Sequence, residues 1–130
     1  MLYLGSASSM LANRLSYFFN LHGESVTIDC ACSSSLMAVQ LGARSIVTGA
    51  SKMALCGGVN TVLSPSTFVS LSKANMASAK GQCHSFSVEA DGYARSEGCG
   101  VVLLKNLQQV CNNSHSLPAH VNVLTNQGRL

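Results

Sequence analysis

The chain has 130 residues, 47% of them hydrophobic and 10% charged, with six Cys, two Pro and no Trp. Its length bounds it to one domain at most, and its apolar content excludes disorder. Ordinary domains carry about 25% charged residues; 8 basic and 5 acidic side chains, net +3, read as the interior of something larger, and are too few and scattered for a nucleic-acid or anionic-membrane partner.

No apolar run approaches the roughly 20 residues that cross a bilayer. Residues 1–12 are apolar, but they lack the basic start of a signal peptide, the first charge being Arg14. Over residues 10–20, Leu11, Leu15, Phe18 and Phe19 recur at i, i+4, i+7 and i+8 and predict a helix, with Gly23 as its C-cap. Residues 25–31 are rich in β-branched side chains and predict a strand. Residues 33–48 follow without a turn signal and predict a helix. Its apolar residues nearly encircle the axis, and Gln40 and Arg44 form the polar stripe, so a buried helix is expected, closed by Gly49. A short strand over residues 53–56 runs into Gly57-Gly58, a mark of close backbone approach. Residues 64–98 read as the longest irregular stretch, 100–105 as a buried strand, 112–116 as a loop and 118–124 as the start of a further strand. No closing element follows. The order fits an α/β layer, and the chain is expected to be a fragment.

Cys30, Cys32, Cys56, Cys83, Cys99 and Cys111 include no C-x-x-C pair and no zinc spacing with His, so no metal site is expected. A reduced, intracellular (cytoplasmic) compartment suits free thiols within apolar runs. Cys32 stands apart. It falls where the predicted strand turns directly into the helix that opens Ser33-Ser34-Ser35. Unpaired N–H groups and the helix dipole favour an anion at such a place, and a sharp strand-to-helix bend exposes a nucleophile. A backbone N–H there could serve an oxyanion. The other reading is a structural Cys beside a serine-rich helix cap. Both stay open on composition and spacing. A redox or metal role for Cys30 with Cys32 is disfavoured, because the bend points the two sulfurs apart.

Gly23-Glu24-Ser25-Val26-Thr27-Ile28-Asp29-Cys30-Ala31-Cys32-Ser33-Ser34-Ser35-Leu36 resembles the active-site segment of β-ketoacyl synthases, G-P-S-x-x-x-D-T-A-C-S-S-S-L. Leu11-Ala12-Asn13-Arg14-Leu15-Ser16-Tyr17-Phe18-Phe19 is similar to the family's L-A-N-R-I-S-Y-x-F. Cys56-Gly57-Gly58-Val59-Asn60 is similar to A-G-G-V-N, and residues 76–83 to M-L-S-P-D-G-x-C. Ala90-Asp91-Gly92-Tyr93-Ala94-Arg95-Ser96-Glu97-Gly98-Cys99-Gly100 resembles A-D-G-Y-x-R-G-E-G-x-G, and Thr125-Asn126-Gln127-Gly128 resembles V-N-Q-D-G without its Asp. The resemblance spans essentially the whole chain and is nearest to ketosynthase domains of iterative type I polyketide synthases and animal fatty acid synthases.

The resemblance implies part of a thiolase-like layered α/β/α/β/α fold, mainly its N-terminal half. Residues 1–107 are then a partial N-terminal half and 108–130 the truncated start of the C-terminal half. It implies Cys32 as the acyl-accepting nucleophile of a decarboxylative Claisen condensation. Acyl and malonyl groups arrive on the phosphopantetheine of an acyl carrier protein, and no cofactor is bound directly. A homodimer is implied, with residues 25–31 near its two-fold axis.

The family stabilises the enolate with two histidines, one from an H-G-T-G segment. No such segment exists here. His22, His84, His115 and His120 stand in no matching context and are expected to be solvated or structural. The family's late glycine-rich loop is missing too. Cys30 replaces the usual Thr, and Ser87 stands where Phe-Asp is usual. Arg95 and Glu97 are expected to form a buried pair. Two readings follow. The chain is part of a condensing enzyme that cannot condense alone, or a short non-catalytic product that binds or dimerises with a full-length synthase.

Overall fold

A computed structural model describes residues 5–106 and the two-residue strand at Leu124–Thr125. In chain order it contains helix α1 (Met10–Phe18), a single 3-10 turn (Ala31–Ser33), helix α2 (Ser34–Val47), strand β1 (Met53–Asn60), helix α3 (Ser66–Lys73), strand β2 (Gly98–Lys105) and strand β3 (Leu124–Thr125). The strands form one sheet in the order β1-β2-β3. The chain divides into two compact units, the first holding α1, α2 and the strands as far as Gly58 and from Val101, the second running from Val59 to Gly100.

In the first unit α1 follows the expected apolar spacing, but Gly23 is not its cap. Asn20 takes the left-handed conformation (φ 50°), its N–H bonds Tyr17 C=O at 3.3 Å and the Leu21 N–H bonds Ser16 C=O at 2.8 Å. This is the Schellman closure, and Asn serves there because its short side chain tolerates positive φ. Residues 25–31 do not form the expected strand. Residues 25–30 lack regular secondary structure and are tied to α1 by side chains: Thr27 Oγ1 accepts from the Ala12 N–H at 3.4 Å, and Ser16 Oγ donates to Ser25 Oγ at 2.8 Å. A strand is defined by its ladder, and no described neighbour supplies one to this segment.

Helix α2 begins and ends within one residue of expectation. Gly49 (φ 77°) closes it, with its N–H on Ile46 C=O at 3.1 Å. The expected burial is absent: no residue of α2 is buried, and Leu36 and Val47 are 71% and 84% exposed. An all-round apolar helix needs neighbours on several sides; close approach to the sheet is seen where Gly42 of α2 meets sheet side chains and where Ser35 of α2 meets Gly58 of β1. A Cβ on Gly42 would strike Cys56 Sγ and lie 3.1 Å from Ala54 Cβ and 3.4 Å from Leu104 Cδ1. A Cβ on Gly58 would lie 2.8 Å from that of Ser35. The close approach expected at Gly57-Gly58 is therefore real, and Cys56, at 5% exposure, is the buried hydrophobic centre among the described residues.

The second unit corrects the irregular reading of residues 64–98. Pro65 precedes α3, and Ser64 Oγ accepts from the Ser66 N–H at 3.2 Å. Asn75 (φ 54°) closes α3, with the Met76 N–H on Leu71 C=O at 2.9 Å. Ser-Pro before and Asn after were the helix signals. A parallel bridge then pairs Ala77 with Tyr93: the Tyr93 N–H bonds Met76 C=O and the Ser78 N–H bonds Tyr93 C=O, both at 3.0 Å. Gly92 (φ 136°) makes this possible, since a Cβ there would lie 2.6–2.8 Å from the backbone at 76–78. Strand β2 is longer than expected by its first two residues. The loop expected at 112–116, Cys111, His115 and His120 lie outside the described residues, as does the strand expected over 118–124 except for its last residue.

Candidate active site

Cys32 sits in the middle of the 3-10 turn that leads into α2, exposed to solvent. The turn is built entirely from neighbours. Cys30 takes φ −133°, ψ 44°, and Ala31 takes φ 55°, so the backbone is irregular over two residues. Positive φ is disfavoured for a residue with a Cβ, and local bonds hold it. Asp29 Oδ1 accepts from the Ala31 N–H at 3.1 Å. Ser34 Oγ accepts from the Cys30 N–H at 2.9 Å and donates to Ala31 C=O at 2.6 Å. The Ser33 N–H reaches Cys30 C=O at 3.4 Å.

The result is an exposed Cys on a sharp bend, directly before Ser33, the cap residue of α2. Ser35, against Gly58, fixes how that helix end sits on β1. Sequence reasoning placed Cys32 on such a bend and missed the parts that make it. The serine run was visible, but nothing in it tells which hydroxyl turns back onto the chain.

The remaining thiols differ. Burial pushes the Cys56 thiol up from its ordinary range. Cys30, Cys83 and Cys99 are exposed and in no disulfide among the described residues, and Cys83 Sγ accepts from the Ala94 N–H at 3.2 Å. No group of His, Cys, Asp and Glu among the described residues could hold a metal. No described helix is long and apolar enough to cross a membrane.

In the second unit the expected buried Arg95–Glu97 pair is not formed. Arg95 is half-buried and its guanidinium donates to Asn60 Oδ1 at 3.5 Å, while exposed Glu97 accepts from the Val62 N–H. Asn60 Nδ2 donates to Ser96 C=O at 2.6 Å. A carboxylate used by a backbone N–H at the surface avoids the cost of desolvating an ion pair. Asp91 is held below the usual carboxylate range, first by the Ser78 hydroxyl and then by the charges of Lys80 and His84. Ser87 has a plain role: its Oγ accepts from the Glu89 N–H at 3.1 Å, the side-chain turn that an Asp in that place would also make. His22 is exposed, and His84 is half-buried with Nδ1 unpartnered among the described residues.

Residues 1–110 match the family description "Beta-ketoacyl synthase, N-terminal domain". The chain belongs to the β-ketoacyl synthase family. It is 55% identical over 105 residues to probable polyketide synthase 1 of Dictyostelium discoideum, covering 81% of this chain and 3% of that protein. Among solved structures it resembles an oxazolomycin ketosynthase domain of Streptomyces albus, with TM-score 0.81 and 39% identity over 92% of this chain and 20% of the other. It also resembles the ketosynthase from module 6 of the bacillaene synthase of Bacillus subtilis 168, with TM-score 0.81 and 38% identity over 84% of this chain and 20% of that one. The fold is thus part of the thiolase-like ketosynthase architecture. The chain spans about a fifth of these ketosynthase structures and a few per cent of the polyketide synthases.

Proposed function

We propose that Cys32 is the acyl-accepting nucleophile of a ketosynthase acting in polyketide or fatty acid assembly. Its thiolate attacks the thioester of an acyl group carried on the phosphopantetheine of an acyl carrier protein. A carbon–sulfur bond to Cys32 forms, the bond to the pantetheine sulfur breaks, and that thiol departs with a proton. A malonyl thioester then loses CO₂, and its enolate carbon attacks the acyl carbon and releases Cys32. Covalent catalysis thereby divides one difficult step into two.

The observation that carries this reading is an exposed Cys on a bend of irregular backbone, inside a chain of the β-ketoacyl synthase family. The 130 residues contain no H-G-T-G segment, so on this reading the chain alone loads but does not condense. Residues 1–107 form the partial N-terminal half in this proposal, and 108–130 the start of the C-terminal half. Residues 25–31, of which 25–30 have no ladder partner among the described residues, suit pairing with a second copy, the dimer the family implies. A cytoplasmic setting with reduced thiols suits the chemistry.

The test is acyl loading in the intact protein that carries this chain, with an acyl-pantetheine thioester as donor and peptide mass spectrometry as readout. The acyl mass is expected on the peptide containing Cys32 and absent in C32A. An acyl group that stays on C32A protein would refute the assignment.

A further inference from the structure

We propose that Ser34 is a positioning residue for Cys32, its hydroxyl clasping shut the turn that carries the sulfur; the inference rests on Cys32 being the acyl acceptor.

A hydroxyl carries one hydrogen and two lone pairs, so it can accept and donate at once. Ser34 does both across the turn, accepting the Cys30 N–H at 2.9 Å and donating to Ala31 C=O at 2.6 Å. Its partners lie one and two residues before Cys32, and Ser34 lies two after, so the two bonds enclose the Cys on both sides. The backbone they enclose is the irregular part: Cys30 at φ −133°, ψ 44° and Ala31 at φ 55°. Conformations of this kind persist only where surrounding bonds over-determine them.

The role falls on one serine of three. Ser33 occupies the cap position of α2 without a side-chain cap bond, and Ser35 lies against Gly58. Both are exposed and Ser34 is half-buried. Ser34 touches no reacting atom in this scheme. It acts through the direction it imposes on Cys32, where displacements of an ångström are costly to a reaction between positioned groups.

The experiment measures single-turnover loading of Cys32 from an acyl-pantetheine thioester in the intact protein, for wild type, S34A, S34T, S33A and C32A. Protection of Cys56 from iodoacetamide is followed in each as the measure of folding. S34A is expected to load about 10–100-fold more slowly at saturating donor with half-saturation unchanged, because orientation and not donor binding is lost. Cys56 is expected to stay protected in S34A. S34T, which keeps a hydroxyl in the same place, is expected within about threefold of wild type, and S33A at the wild-type rate. The proposal is overturned if S34A loads at the wild-type rate, if S34T is as slow as S34A, or if slow loading comes with exposure of Cys56, since the hydroxyl would then hold the fold and not the turn. C32A separates the two failures. If C32A still takes the acyl group, the nucleophile assignment falls and the clasp with it; if C32A does not load and S34A loads normally, only the clasp fails.

Discussion

The turn around Cys32 and the loop from Met76 to Glu97 both hold irregular backbone with local side-chain bonds, and only the loop adds bonds that reach far along the chain. Every side-chain bond of the turn spans two to four residues: Asp29 to Ala31, Ser34 to Ala31, Ser34 to Cys30. The loop is fastened by bonds across 35 or 36 residues, from Asn60 to Arg95 and Ser96 and from Val62 to Glu97, and by the bridge between Ala77 and Tyr93. A turn made of near neighbours forms as soon as its own residues do, because little loop entropy is spent. The distant latch exists only once β1 and β2 have brought the ends of the loop together. The proposed nucleophile, Cys32, belongs to the first kind, its turn held by its own near neighbours.

That contrast can be broken or sharpened by substitution. The largest effect is expected from G58A. Its new Cβ meets Ser35 at 2.8 Å, and overpacking of this kind costs about 1–3 kcal/mol. Urea unfolding should show the loss, and Cys32 loading should slow with it; loading at the wild-type rate would mean that the seat of α2 on β1 does not govern the turn. Next is N60A, which removes the Ser96 and Arg95 partners together. A loss of about 1 kcal/mol is expected, together with faster trypsin cleavage after Lys80. Unchanged cleavage would show that the bridge at Ala77 and Tyr93 closes the loop by itself.

A31G is expected to be stabilising by about 0.5–1 kcal/mol, because the left-handed conformation at φ 55° is free of steric cost for glycine. Destabilisation would mean that Ala31 is not left-handed in solution. Iodoacetamide should modify Cys32 well before Cys56, whose thiol burial pushes up; equal rates would deny the difference in exposure between the two.

The smallest effect concerns Asp91. The Ser78 hydroxyl, Lys80 and His84 hold its carboxyl below the usual range. A depressed folded value means stability that is present above the unfolded carboxylate range and lost as pH falls through the folded value. NMR titration should place Asp91 below an ordinary Asp, and S78A should return it upward. The group is exposed, so the change in stability is small.

Legibility in the sequence followed the same division. The ends of α2 were readable because Gly49 and the serine run act on their own neighbours, and Cys32 was placed on its bend for the same reason. Helix α3 was missed although its stop was local, since Asn75 and not Gly takes the left-handed place. Residues 25–30 had strand composition but no ladder, and composition cannot report a partner. The expected Arg95–Glu97 pair failed because Asn60 and Val62, far back in the chain, claimed both groups.

What the sequence by itself determined is that Cys32 stands at the start of a helix, together with the motifs that mark a β-ketoacyl synthase. Both are carried by residues whose bonds or order are local. Only the tertiary structure decided that Ser34 is the serine turned back on the bend, that Gly42 and Gly58 seat α2 on β1, and that Asn60 reaches Ser96. Those outcomes depend on which backbone arrives beside which side chain, and a linear pattern does not contain that distance.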